Sequence, residues 1–307
     1  MAGLSITKIL KVISEVRAGA GTAPRLCVAG VGGPLRDVVV AMSSGAPDAV
    51  DGVSGAFDAL APADVPGDAV LVRRWGAVVL VAAGCDPAEA ARVAAAARGA
   101  GVPVVALVPD RDAAAGAAWL RAAQVRRDET AASLGRPGEP KPTLQGRMAA
   151  ALGDDGIALA QSLPWLRRAV AERLVLAGAQ QNAVIGAVIF IPGADMPAMT
   201  ANQIRMVLRI ASAYGEELGL ERALEILSVV GTGLVLRTLA RQALDFVPGF
   251  GWAVKGAVGF SGTVALGSAA IEYFEAGAPL TPTRFRKLAG TVDRFRKALP
   301  FRGVAAG

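Results

Sequence analysis

The sequence predicts an α/β domain built on a doubly wound parallel sheet, followed by an all-α domain organised around a central helical hairpin. Three observations carry this. Short continuous apolar runs at 25–29, 77–83 and 102–108 alternate with helical stretches, as strands buried on both faces of a parallel sheet do. A polar, proline-rich stretch at 126–147 then interrupts the pattern. Beyond it lie two long apolar segments, about 221–246 and 252–275, separated by Val247-Pro248-Gly249-Phe250-Gly251, where proline lacks an amide proton and the glycines accept turn dihedrals. A turn this short makes the two helices antiparallel. The expected division is an amphipathic helix and linker at 1–24, the α/β domain at 25–125, a linker at 126–150 and the helical domain at 151–307.

The first helix has Leu4, Ile6, Ile9, Leu10, Ile13 and Val16 on one face and Lys8, Lys11, Glu15 and Arg17 on the other. Its lysines interrupt any signal-peptide core, so a chain that is not secreted is expected. Strand Arg25–Ala29 leads into Gly30-Val31-Gly32-Gly33-Pro34-Leu35-Arg36-Asp37 and a helix, the order in which a phosphate-binding loop occurs. With Gly30 as first glycine, the second glycine, the lysine and the hydroxyl of that loop are replaced by Leu35, Arg36 and Asp37. Aspartate repels phosphate, and arginine lacks the compact reach of lysine. Asp64-Val65-Pro66-Gly67 has the D-x-x-G shape of a γ-phosphate sensor, which an ordinary Pro-Gly turn also explains.

Asp86-Pro87-Ala88-Glu89 supplies an N-cap, a first-turn proline and a capping-box glutamate for a helix running to Arg98. Cys85 stands just before it, where a helix terminus lowers a thiol pKa, but with no base nearby in sequence. Pro109-Asp110-Arg111-Asp112 occupies the place of a guanine-reading N-K-x-D; only Asp112 survives, and it reads equally as the cap of a helix over 113–124. The order of these degenerate elements resembles an Era-like GTPase shortened between its motifs, so the resemblance implies a pseudo-GTPase domain. Its nucleotide-binding residues, if any, are Gly30, Gly32, Gly33, Arg36, Asp37, Asp64, Gly67 and Asp112.

In the helical part, Ser162-Leu163-Pro164 caps a helix through Gln180 into a run ending at Pro192, and the amides of Gln180, Gln181 and Asn182 need partners if that helix is in lipid. Thr200-Ala201-Asn202-Gln203 has the form of a capping box opening a helix over 201–214. In the hairpin, Gly256, Gly259 and Gly262 are expected to face Gly231 and Gly233. Arg237, Arg241, Asp245 and Lys255 keep either segment short of the ~18 uninterrupted apolar residues that mark a spanning helix. The last helix repeats Phe285, Leu288, Val292, Phe295 and Leu299, with Arg284, Arg286, Lys287, Arg294, Arg296 and Lys297 around a single Asp293. That arrangement suits anionic headgroups or a solvated face over a core.

The ordered motifs Pro192-Gly193-Ala194-Asp195-Met196-Pro197, Thr200-x-x-Gln203, Tyr214-Gly215, Arg237, Pro248-x-x-Gly251, Gly262-Thr263 and Gly267 resemble an uncharacterised bacterial helical domain. Members of that family are attached in some cases to Era-like GTPase domains and are often described as membrane proteins. The resemblance covers about 163–277 and names no reaction.

Composition narrows the chemistry. The absence of histidine among the 307 residues excludes Ser-His-Asp and Cys-His catalysis and histidine metal sites. Cys27 and Cys85 alone are too few for a thiolate metal centre, so no metal and no cofactor is expected. A net charge of +6 with 53% hydrophobic residues admits an anionic membrane surface or a protein partner, while 5% aromatics and no basic-aromatic run make nucleic acid a minor reading. The expectation is a membrane-associated binding or scaffolding protein without hydrolysis, on the cytoplasmic face of the inner membrane or in the cytoplasm. The alternatives are a working GTPase with an atypical loop and a soluble helical partner-binding protein.

Overall fold

The computed structural model describes residues 6–19, 24–43, 56–108, 113–134, 143–188, 196–226 and 251–276. These divide into two compact units. Of the described residues, one unit comprises those within 19–170 with 213–215; the other comprises those within 6–18, 171–212, 216–226 and 251–276.

The α/β unit holds a five-stranded, all-parallel sheet in the order β2-β1-β3-β4-β5. Its strands are β1 (Arg25–Ala29), β2 (Phe57–Leu60), β3 (Trp75–Val81), β4 (Val104–Leu107) and β5 (Thr130–Ala131). β1 is fixed between β2 and β3, with Cys27 opposite Asp58 and Val78. The sheet grows outward from β1 to one edge and from β3 to the other, so right-handed crossovers place α2 (Gly32–Ser43) and α4 (Pro87–Gly99) on opposite faces. Cys27, Ala29, Val78, Leu80, Val104 and Ala106 pack against Ala90, Val93, Ala94 and Ala97 of α4. The alanines bring helix and sheet close; burying the valines and leucines at about 25 cal/mol per Å² is the main driving force.

Three expectations change here. The stretch read as a linker at 126–150 supplies β5, a bridge from Ser133 to Thr143 and α6 (Leu144–Leu152), which lies against β3, β4 and β5. Arg147 at the centre of α6 donates to Thr130 O at 3.0 Å, tying helix to edge strand. β2 was not expected, being a four-residue edge strand with only Phe57 fully buried. β3 begins at Trp75 rather than Ala77, and its apolar run continues past the strand into the turn at 82–84. Asp86 caps α4 through Glu89 N, with Pro87 in the first turn, as the sequence implied.

Among the described residues the remaining α-helices are α1 (Ile6–Gly19), α3 (Ala69–Val72), α5 (Ala113–Ala122), α7 (Gly156–Ser162), α8 (Pro164–Val188), α9 (Met196–Ala213), α10 (described over 220–226) and α11 (Gly251–Ala276). α1 belongs with the helical unit; it buries Ile9, Val12, Ile13 and Val16, leaves Leu10 exposed, and its Glu15 pairs with Arg205 of α9 at 3.1 Å. α9 starts at Met196, one turn before the expected Ala201, because Pro197 suits a first turn; Thr200 is therefore inside the helix and not its cap. Beyond the end of α9 at Ala213, Gly215, with a φ of +88°, and the bond from Glu216 N to Ala211 O form the glycine-terminated helix end that an L side chain would strain. The first helix of the expected hairpin is described only to residue 226, so Gly231, Gly233, Arg237 and Pro248 lie outside the described residues. No helix among the described residues is long and apolar enough to cross a membrane.

Candidate functional site

The carboxyl edge of the α/β sheet is where the winding direction reverses between β1 and β3, the position at which doubly wound sheets place ligands. Gly30 closes β1 there. A Cβ on it would stand 2.9 Å from Val81 Cβ and 3.3 Å from Leu35 Cβ, so only glycine lets strand and helix pack this closely. Gly32, at φ +60°, already begins α2, leaving Gly30 and Val31 as the whole connection. Gly33, Arg36 and Asp37 are exposed on the first turns of α2, while Leu35 is half-buried. On the β3 side Gly84, at φ +75°, makes the turn beside Val31.

Asp64 and Gly67 are both exposed, in the turn that follows β2. Arg92 of α4 holds that turn, donating to Val65 O at 2.8 Å and to Pro62 O, with Glu89 accepting from its Nε at 3.2 Å. Asp112 lies outside the described residues. Cys85 is buried; its thiol donates to Asp86 O at 3.5 Å, and its carbonyl accepts from Trp119 Nε1 at 2.9 Å. Burial, then the Asp86 and Glu89 carboxylates, push the Cys85 thiol above its ordinary pKa, opposite to the lowering a helix terminus offers. Burial, with Asp58 adding to it, pushes Cys27 up to about 12. Both shifts work against formation of the thiolate. Among the described residues no group of three His, Cys, Asp or Glu side chains could hold a metal.

In the helical unit the polar residues converge. Asn182 of α8, fully buried, donates from Nδ2 to Thr263 Oγ1 of α11 at 2.7 Å and to Met199 O at 3.4 Å. Its Oδ1 accepts from Asn202 Nδ2 of α9 at 2.8 Å, and Asn202 also donates to Gly178 O at 3.0 Å. Gln203 Nε2 donates to Thr263 Oγ1 at 3.1 Å, and the Thr263 hydroxyl donates to Gly259 O at 2.7 Å. Thr263 thereby uses its one donor and both acceptor positions. The network is uncharged and ties three helices together, which suits specification of register rather than proton transfer.

Glycines complete the same contact. A Cβ on Gly259 would come within 2.8 Å of Asn182 O, and one on Gly267 would overlap Val175. Among the described residues, no atom lies within 4 Å of a Cβ built on Gly262. Gly259 therefore meets α8 and Met199 of α9. Among the remaining motif residues, Pro197 is exposed in the first turn of α9, Tyr214 and Gly215 close that helix, and Gly251 opens α11. Pro192 and Asp195 lie outside the described residues, as do Arg284, Arg286, Lys287, Arg294, Arg296 and Lys297.

Sequence reasoning noted that Asn182 requires a partner but did not supply Asn202, whose place in an apparent capping box hid it. Arg92 was missed too; its role depends on carbonyls 27 and 30 residues away.

Residues 156–296 match a family described as a domain of unknown function, DUF697, and the match takes in every member of the amide-hydroxyl network. No curated protein and no solved structure shows significant similarity to the chain.

Proposed function

We propose that this chain is a binding or scaffolding protein in which a GTPase-like α/β unit without hydrolytic activity is carried on a helical unit that associates with anionic membrane surface at the cytoplasmic face of the inner membrane. The observation that carries the first half is the β1–α2 connection. A phosphate-cradling loop surrounds its ligand with several backbone N–H groups before the helix begins and follows them with lysine and a hydroxyl. Here the helix begins at Gly32, and its first turns present Leu35, Arg36 and Asp37. The parallel sheet and its reversal point are shared by folds with many activities, so the residues at that point carry the reading and not the fold.

The membrane half rests on the cluster of six cations around Asp293 between residues 284 and 297. Equilibrium titration of the full chain with fluorescent GTP and magnesium is expected to give no saturable signal. Saturable binding that Arg36→Ala removes would favour the alternative of a working nucleotide site. Sedimentation with vesicles is expected to show retention on anionic but not neutral lipid, reduced by deletion beyond Pro279. Equal behaviour on both lipids would return the helical unit to a soluble, partner-binding reading.

A further inference from the structure

We infer that the α3 turn of the α/β unit is a second lipid-contact surface, an apolar tip flanked by arginines that seats among anionic headgroups; this rests on the membrane reading above. α3 is a single turn fixed at both ends. Asp68 caps it, accepting from Val70 N at 2.8 Å, and Val72 and Trp75 anchor it with 0% and 2% exposure. Between those anchors Val70 is 73% exposed, the most exposed large apolar side chain among the described residues, and Leu71 beside it is 51% exposed. Single exposed apolar residues are ordinary on a protein surface, but two adjacent ones held outward by a capped turn form a small projection.

The flanking charge indicates what covers that projection. Arg73, the C-cap of α3, and Arg74, in the turn that follows, are both exposed and come directly after the apolar pair and its Val72 anchor in the chain. Arg74 is held in place, its guanidinium carbon 4.4 Å from the centroid of the Trp75 ring. Of the nearby acids, Asp68 accepts from the helix N-terminus, and Asp58 is bonded by Arg25 and by Trp75 Nε1 at 2.6 Å, with the Arg74 charge also acting on it. A protruding apolar pair with two cations beside it matches an interface that accepts aliphatic groups below a layer of phosphates, and it needs no pre-shaped groove.

The test uses the full chain and sedimentation with phosphatidylcholine vesicles with or without phosphatidylserine. A background in which the six cations between 284 and 297 are changed to glutamine removes the other attachment. In it, phosphatidylserine-dependent binding persists and falls about fivefold for each of Arg73→Gln and Arg74→Gln. It falls by tenfold or more for Val70→Ser with Leu71→Ser. All four positions are exposed, and unchanged circular dichroism confirms that the variants fold. If the wild type binds but these substitutions change nothing in either background, the α3 surface is refuted while the membrane reading stands. Failure of the wild type to bind either vesicle overturns both. Retention on polyglutamate with no binding to vesicles would make the surface a protein site and overturn the lipid assignment.

Discussion

Replacing Thr263 by valine should destabilise the helical unit by about 2 kcal/mol, and the geometry states why. Valine keeps the volume but removes the acceptor that Asn182 Nδ2 reaches at 2.7 Å and Gln203 Nε2 at 3.1 Å. Gln203 is half-buried and can turn to water, whereas Asn182 is fully buried and keeps only the long bond to Met199 O. One stranded buried donor costs about 1–3 kcal/mol. Thr263→Ser keeps the hydroxyl and loses one methyl group, about 1 kcal/mol. Hydrogen exchange across a urea titration, followed on peptides from α8 and α11, reads this unit separately from the other. A loss of about 2 kcal/mol moves the midpoint down by roughly 0.7–2 M. Asn182→Ala combined with Thr263→Val should cost less than the sum of the singles by about 1 kcal/mol, because the stranded donor is then gone. Valine as stable as serine, or an additive cycle, would refute the network as a source of stability.

Gly267→Ala should destabilise the helical unit by about 1–3 kcal/mol because its Cβ overlaps Val175, while Gly262→Ala, with no described atom within 4 Å of its Cβ, should gain up to about 1 kcal/mol of helix propensity; the two urea midpoints must move in opposite directions. The α/β unit should weaken in acid. Burial raises the Asp58 carboxyl, but hydrogen bonds from Trp75 and Arg25 outweigh it and hold its pKa below the ordinary 3.8. Glu129 is likewise raised by burial and lowered further by Arg98 and the Arg126 N–H, below its ordinary 4.5. A lowered folded pKa means that the unfolded chain takes up protons first. The stability these groups contribute is thus complete above their ordinary values and lost as pH falls through the folded ones. Urea midpoints between pH 6 and pH 3 should fall for the wild type and fall less for Asp58→Asn and Glu129→Gln; parallel profiles would contradict the assignment.

The central strands β1, β3 and β4 were legible because strands covered on both faces are written as unbroken valine, leucine and alanine. The edge strands were not. Phe57-Asp58-Ala59-Leu60 and Thr130-Ala131 are too short and too polar for a period, and take their conformation from β1 and β4. The site divides in the same way. That a buried Asn182 demands hydrogen-bond partners follows from its chemistry, but Asn202 and Thr263 stand 20 and 81 residues away, and helix packing alone brings them within reach. Gln203 three residues after Thr200 satisfied a local capping pattern, yet Pro197 in the first turn starts α9 earlier and frees Gln203 to reach α11. Gly259 is a point of close approach, as expected, with Asn182 O and Met199 against it; the expected facing residues Gly231 and Gly233 lie outside the described residues.

The most direct test of the central claim is GTP turnover by the purified full chain with magnesium, in wild type and Arg36→Ala. The proposed function predicts phosphate release indistinguishable from buffer in both, since the turn at 30–31 is followed by Leu35, Arg36 and Asp37 where lysine and a hydroxyl are needed. Steady turnover above background in the wild type, abolished by Arg36→Ala, would contradict it.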